Sequence, residues 1–225
     1  MITLQRISKQ YGTKEVLKDI SLQFDAGKVY GIVGENGAGK TTLFRCIAGL
    51  ESFEGRINSD LQPLKNHLGF LLTEPYFFPK ITGREYIRFL CDTRGISIPD
   101  IEQRNIFDLP LQQYASTYST GMKKKLALTA ILLQNNQYFI LDEPFNGVDI
   151  QSNIIITGII QRLKELNKTV IISSHIFSTL HDTCDQIHLL SHGSLVKTAG
   201  KEDFDKLEME MKETVIGDKI DKLLL

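Results

Sequence analysis

The segment GIVGENGAGKTT runs from Gly31 to Thr42 and sets Gly34, Gly37 and Gly39 within six residues, directly ahead of Lys40, Thr41 and Thr42. Glycines at that density let successive backbone N–H groups turn toward one point, because no Cβ stands between the chain and what it encloses. The run KVYGIVG before the loop reads as a strand, and TTLFRCIAGL behind it has the composition of a helix. A helix beginning there adds its positive N-terminal end to the same point. The guest that matches such a cradle is a polyphosphate.

The spacing Gly34-x-x-x-x-Gly39-Lys40-Thr41 is the P-loop pattern, in the strand, loop and helix context that gives it physical meaning. In that pattern Glu35, Asn36, Gly37 and Ala38 complete the loop between Gly34 and Gly39. Lys40 reaches the β- and γ-phosphates, the Thr41 hydroxyl holds Mg²⁺, and Thr42 contacts the α-phosphate. A second segment, YFILDEP, is apolar from Tyr138 to Leu141 and ends in Asp142 and Glu143. Such a run reads as a buried parallel strand, and function in open α/β sheets collects at the carboxyl ends of strands. Asp142 is therefore expected at the metal, and Glu143 beside the γ-phosphate as the base that polarises an attacking water. Alone, an acidic pair at a strand end is as readily a solvated turn; the P-loop upstream favours the catalytic reading.

Residues 2 to 33 alternate β-rich runs with turn residues and predict three strands, ITLQRISKQY, VLKDISLQF and KVYGIVG. From Leu72 the character turns helical, with GREYIRFLCDTRG and GMKKKLALTAILLQNN on either side of a stretch rich in Pro, Asn and Gln. Residues 72–127 are read as a helical insertion. The β/α alternation resumes with YFILD, the helix SNIIITGIIQRLKEL, the strand KTVIIS, a helix at FSTLHDTCD and a hairpin at QIHLLSHGSLVKTAG, and 201–225 reads as a helical tail. The expected fold is α/β in a single domain: a P-loop NTPase core with a mixed sheet, an N-terminal antiparallel β subdomain and an inserted helical subdomain.

Charge and cysteines narrow the function classes. A net charge of −1 supplies no electrostatic footprint for nucleic acid, and the basic run Lys123 to Lys125 is read as a solvated helix face. Cys46, Cys91 and Cys184 lie far apart, without disulfide or zinc spacing, which fits a reducing cytosol. No apolar run approaches the roughly 18 residues that span a bilayer, and MITLQRISKQYG lacks the layout of a signal peptide. A membrane role is expected to come through a partner.

YSTGMKKKL, residues 118–126, precedes the YFILDEP strand and resembles the signature segment of ABC ATPases, whose usual form is LSGGQ. Ser119 and Gly121 match its serine and second glycine; Tyr118, Thr120 and Met122 depart from it in a form similar to that of exporter-type members. On its own the segment is a helix start capped by Ser119. The resemblance extends over nearly the whole chain in the family's order. Tyr11 stands where the family stacks an aromatic on adenine, with Val16 nearby; FNGVD, Phe145 to Asp149, resembles the D-loop; and SSHI presents His175 at the switch position. His67, His181, His188 and His192 match no motif.

The resemblance implies the ATP-binding subunit of an ABC transporter, exporter-like, that binds ATP with Mg²⁺ and hydrolyses it with Glu143, His175 and Lys40 as catalytic residues. It implies two ATPase subunits, like or unlike, with Ser119 and Gly121 serving the ATP held by the other copy. The implied partner is a transmembrane permease subunit, with the chain cytoplasmic and peripheral on the inner face of the membrane, and no nucleic acid. Two alternatives are an ABC-type ATPase that moves no substrate and a binding-only P-loop switch. The first usually carries two cassettes, long coiled coils or zinc modules, and the second is disfavoured by Glu143 with Asp142, Lys40 and His175. One position departs from the family. In LGFLLTEPYFFPK, Thr73 stands where a Gln, sometimes a Glu, reaches Mg²⁺ and the attacking water. A threonine is expected to be too short for this, leaving Glu74, by a one-residue shift, or a water in its place.

Overall fold

The computed structural model describes residues 1–216. The chain runs β1 (Ile2–Tyr11), β2 (Lys14–Phe24), β3 (Val29–Val33), α1 (Lys40–Ile47), β4 (Glu54–Ser59), β5 (Leu68–Leu71), α2 (Gly83–Asp92), α3 (Thr120–Leu133), β6 (Tyr138–Asp142), α4 (Ile150–Glu165), β7 (Thr169–Ser173), α5 (Phe177–Thr183), β8 (Gln186–Ser191), β9 (Ser194–Gly200) and α6 (Phe204–Ile216). Residues 217–225, the rest of the expected helical tail, lie outside the described residues.

Every position of β3, β6 and β7 is buried. Strands buried on both faces belong in the middle of a sheet covered on two sides, and the six-stranded sheet has the order β5-β6-β7-β3-β8-β9. All its neighbours pair in parallel except β8 with β9, an antiparallel hairpin. Alternate side chains of these strands enter different cores. Val29, Phe139, Leu141, Val170 and Ile172 pack with the helices α2 to α6, while Tyr30, Ile32, Tyr138, Ile140 and Ile171 pack with α1 and the smaller sheet. That smaller sheet is antiparallel, in the order β2-β1-β4. Ile2, Leu4 and Ile7 of β1 and Leu17, Ile20, Leu22 and Phe24 of β2 form its inner face.

The structure adds detail to the sequence reading. β3, the strand expected to lead into the glycine loop, takes a central place between β7 and β8, because its unbroken apolar run can be covered on both faces only there. The strands β4 and β5 were not anticipated: EGRINS has no apolar alternation, and LGFL is only four residues long. In the helical region a capping box starts α2, with Thr82 Oγ1 accepting from Glu85 N and the Glu85 carboxylate accepting from Thr82 N. The boundary expected at 127 falls inside α3, which continues to Leu133 beneath the sheet.

His188 of β8 is only 2% exposed. Its ring stacks on Tyr30 at 5.9 Å and meets Phe24 edge-on at 6.0 Å, while Nδ1 pairs with Thr198 Oγ1 at 2.9 Å. Burial pushes its pKa down from 6.5 to about 4. The folded state therefore holds His188 neutral where the unfolded chain protonates it. The stabilisation this gives is present above the unfolded pKa and is lost as pH falls toward the folded one. From about pH 7.5 to about pH 5 the cost from this group alone is about 2 kcal/mol. Urea unfolding at the two pH values is expected to show that loss, and a His188→Phe variant is expected to lack most of it.

Candidate functional site

The loop from Gly34 to Gly39 delivers the chain from β3 into α1. Gly39 has a φ of 110°, the left-handed region, and no side chain caps α1 or places an acidic charge in its first turn. Its leading N–H groups are thus offered to an outside anion. Close packing also demands glycine here: a Cβ on Gly34 would overlap the Leu190 carbonyl, and one on Gly39 would stand 2.9 Å from the Val16 carbonyl. The loop is pressed against the start of β2 and the end of β8. Lys40 Nζ donates to the carbonyls of Gly34 at 2.6 Å and Glu35 at 3.2 Å. Burial pushes its pKa down, and the Glu143 and Asp142 carboxylates oppose the shift.

A cavity of about 530 Å³ lies over this loop. Of the residues singled out in the sequence, Tyr11, Val16, Asn36, Gly37, Gly39, Lys40, Thr41, Thr42, Asp142 and Glu143 line it. Gly34, Glu35 and Ala38 are in the loop but do not line this cavity; Gly34 and Glu35 act on it through their carbonyls on Lys40. Asp142 closes β6 at 1% exposure and collects three hydroxyls. Thr41 Oγ1 and Thr73 Oγ1 each donate to Oδ2 at 2.7 Å, and Ser173 Oγ donates to Oδ1 at 2.6 Å. Ser173 Oγ also accepts from Glu143 N at 2.9 Å.

Thr73, expected to be too short to reach Mg²⁺ and the attacking water, does reach the Asp142 carboxylate. β5 pairs in parallel with β6, Leu71 opposite Leu141, so Asp142 at the end of β6 is a neighbour of the residues just beyond β5, and a hydroxyl suffices to reach it. Thr73 lines the cavity; Glu74 is not among its lining residues.

Glu143 has a φ of 53°, left-handed backbone that a residue with a side chain adopts at a cost of about 1 kcal/mol or more. That turn sets its carboxylate beside His175, whose Nδ1 lies 2.8 Å from Glu143 Oε2. His175 follows β7, and 54% of its side chain is exposed.

The oxygen donors Asp142, Thr41 and Thr73 suit a hard divalent cation such as Mg²⁺. Among the described residues no group of three or more His, Cys, Asp or Glu forms a self-sufficient metal site. One carboxylate and two hydroxyls leave half of an octahedral shell to other oxygens, and the phosphate cradle is where such oxygens arrive.

The ABC transporter family model matches residues 17–146, a span that holds the P-loop, Ser119, Gly121, Asp142 and Glu143. The chain belongs to the ABC transporter family. Among its relatives, the ABC transporter ATP-binding protein NatA of Bacillus subtilis (strain 168) is 33% identical, over 87% of this chain and 88% of that protein. The bacitracin transport ATP-binding protein BcrA of Enterococcus faecalis is 30% identical over 97% and 75% respectively. A dimeric ATP-binding cassette solved in a post-hydrolysis state with ADP and Pi shares the fold, with a TM-score of 0.81 at 20% identity over 89% of this chain and 99% of that one.

The segment that resembles the ABC family's signature is placed away from the cavity: neither Ser119 nor Gly121 lines it. Ser119 is the N-cap of α3, its Oγ accepting from Met122 N at 3.2 Å. Gly121 packs on the segment that resembles the D-loop, where a Cβ would stand 2.5 Å from the Gly147 carbonyl. Lys125 pairs with Asp149 at 3.2 Å. The expectation of a solvated lysine face fails at Lys124, which is 2% exposed and donates from Nζ to the Glu143 carbonyl at 2.6 Å. The reason is that α3 runs under the sheet and is buried on nearly all sides, with Leu126, Ala127, Leu128 and Ala130 also inside. Burial pushes the Lys124 pKa down, opposed by the Glu143, Asp142 and Glu74 carboxylates.

Other contributors carried no sequence signal. Lys14 and Lys18, and His192 in the turn between β8 and β9, line the cavity, the last despite matching no motif. Only the tertiary approach of the β2 start and this hairpin turn to the loop brings them there.

Proposed function

We propose that this chain is the ATP-binding and ATP-hydrolysing subunit that powers transport across a membrane through a separate transmembrane permease subunit. The observation that carries this reading is the meeting, in one cavity, of the P-loop residues Lys40 and Thr41 with Asp142 and Glu143, whose carboxylate pairs from there with His175. Asn36, Gly37 and Gly39 cradle phosphate, Lys40 turns its ammonium from the loop carbonyls to the β/γ-phosphates, and Tyr11 and Val16 receive the adenine. Thr41 and Asp142 would hold Mg²⁺, which would supply charge neutralisation on the phosphate oxygens. Glu143 accepts the proton of the attacking water, and His175 fixes the orientation of that carboxylate.

Residues 72–127 form the helical insertion in this reading, and Ser119 and Gly121 at its end complete the site of a second ATPase subunit, like or unlike. Their separation from the chain's own cavity and the dimeric cassette of the same fold support that assignment. Among the described residues no helix is long and apolar enough to cross a membrane. The permease supplies that part, and the chain sits on the cytoplasmic inner face. The name of the bacitracin transport relative supports a transport role, and the exporter-like form of the signature segment carries the direction proposed here.

Lys40→Ala tests the phosphate cradle. Loss of the ammonium from the β/γ-phosphates is expected to weaken ATP binding by about tenfold or more, since charge-assisted contacts to phosphate are among the strong ones. Calorimetry showing unchanged ATP affinity contradicts the cradle. Co-purification from detergent-solubilised membranes with a polytopic subunit tests the transport role, and a chain that stays free of membranes under such conditions contradicts it.

Thr73 and Glu74 separate by a metal readout. The Thr73 hydroxyl holds the carboxylate assigned to Mg²⁺, and such supporting contacts are typically worth about 10- to 100-fold in metal affinity. Thr73→Val is expected to shrink the Mg²⁺-dependent gain in ATP affinity by about tenfold, and Glu74→Ala to leave it unchanged. The reverse pattern assigns the role to Glu74.

A further inference from the structure

We propose that Lys9 and Glu51 are positioning residues that hold the Tyr11 ring as the platform for the nucleotide base. The inference rests on the reading that Tyr11 receives adenine. Lys9 and Tyr11 are two residues apart on β1, and so lie on the same face of the strand. Lys9 is only 9% exposed, unusual for a lysine on the smaller sheet, and its Nζ stands over the Tyr11 ring, 4.8 Å from the centroid. The ammonium is anchored from beyond α1: it pairs with Glu51 Oε2 at 3.2 Å and donates to Ser52 Oγ at 3.1 Å.

This arrangement leaves the two sides of the ring with different tasks. Tyr11 lines the nucleotide cavity together with Val16, whereas Lys9 lines a separate polar depression with Ser52 and Glu54. In this proposal the cation covers the ring face turned from the cavity, and the other face takes the base. A cation over the ring fixes its tilt and withdraws density from it, which favours offset stacking of an electron-rich purine on the free face. Glu51 neutralises the ammonium, so Lys9 does not compete with the P-loop for phosphate. Burial and then the Glu51 carboxylate also push the Tyr11 phenol pKa up, which keeps the ring neutral. Because Glu51 follows α1, the base platform and the phosphate-binding helix are tied into one unit, and the reach from triphosphate to base is set by the fold.

A merely structural ion pair joining β1 to α1 predicts no dependence on the base, and that difference supplies the test. ATP and inorganic tripolyphosphate are titrated calorimetrically into the full chain and into Lys9→Met, Lys9→Arg, Tyr11→Ala and the double variant. Lys9→Met is expected to weaken ATP by about fivefold and tripolyphosphate by less than about twofold, with Lys9→Arg retaining most of the ATP affinity. In the Tyr11→Ala background, Lys9→Met is expected to cost nothing further for ATP, since the two act through one ring. Equal losses for both ligands mean that Lys9 acts on the fold or the phosphate loop, and overturn the proposal. A base-dependent loss in Tyr11→Ala with none in Lys9→Met overturns it while leaving the Tyr11 assignment standing. No base dependence in Tyr11→Ala removes the platform itself, and the proposal with it. Thermal melting of each variant confirms that affinities are compared between folded proteins, and Lys9→Arg keeps the test open if Lys9→Met unfolds.

Discussion

Glu143→Gln is expected to lower ATP hydrolysis by about 10² to 10⁴ while leaving ATP affinity within about twofold. The amide keeps the shape of the carboxylate and can still pair with His175 Nδ1, which lies 2.8 Å from Oε2. What it loses is the capacity to take a proton from water. The contacts assigned to phosphate come from Lys40, Thr41, Thr42 and the loop, none of which the substitution touches. With hydrolysis slowed and binding intact, two copies closed on ATP are expected to persist if, as proposed, nucleotide stabilises only the closed pair. Phosphate release and size-exclusion chromatography with light scattering check both halves. Hydrolysis at the wild-type rate would falsify the role given to Glu143, and loss of ATP binding would show that the carboxylate supports the cradle instead.

How much of this site could be read in advance follows from where each residue gets its instructions. The P-loop is legible because its function is local: glycines, a helix start and a lysine act within one turn of chain, and Gly34 to Thr42 carry the pattern in full. Asp142 and Glu143 are legible because an apolar run ending in two acids has few places to go in an α/β sheet. The contact of Thr73 with Asp142 was not legible because side-chain length was weighed without the backbone. Once β5 lies beside β6, the distance from position 73 to Asp142 is set by the strand pairing, and a hydroxyl covers it. Ser173 is a similar case, since its two hydrogen bonds to the Asp142–Glu143 corner depend on β7 lying beside β6. β4 escaped notice because an edge strand with a largely exposed face needs no apolar alternation.

Lys124 shows the largest gap between sequence and structure, and it leads to the second large effect expected in this protein. Three consecutive lysines suggest a wet surface, yet the middle one is buried and spends its hydrogen bond on the carbonyl of Glu143. That carbonyl belongs to a residue at a φ of 53°, so the lysine clamps the peptide whose conformation decides where the base points. Lys124→Met keeps the length and burial of the side chain and removes the donor. Displacement of a reacting group by about 1 Å costs on the order of 10²-fold, so kcat is expected to fall by about that factor with ATP affinity unchanged. Stability is expected to change little, because a desolvated charge is removed as well as a hydrogen bond. Lys124→Gln restores a donor and is expected to recover part of the rate. The same contact joins the helix capped by Ser119 to the base, with Gly121 on the Gly147 carbonyl and Lys125 on Asp149 as parallel links. If Ser119 serves the ATP of a second copy, its engagement is felt at Glu143 through α3, and Lys124→Met is expected to weaken the dependence of turnover on dimer formation. Single-turnover kinetics across a range of protein concentrations decide the matter: a Lys124→Met variant with wild-type kcat and the same concentration dependence means that the clamp holds the fold and does not position the base.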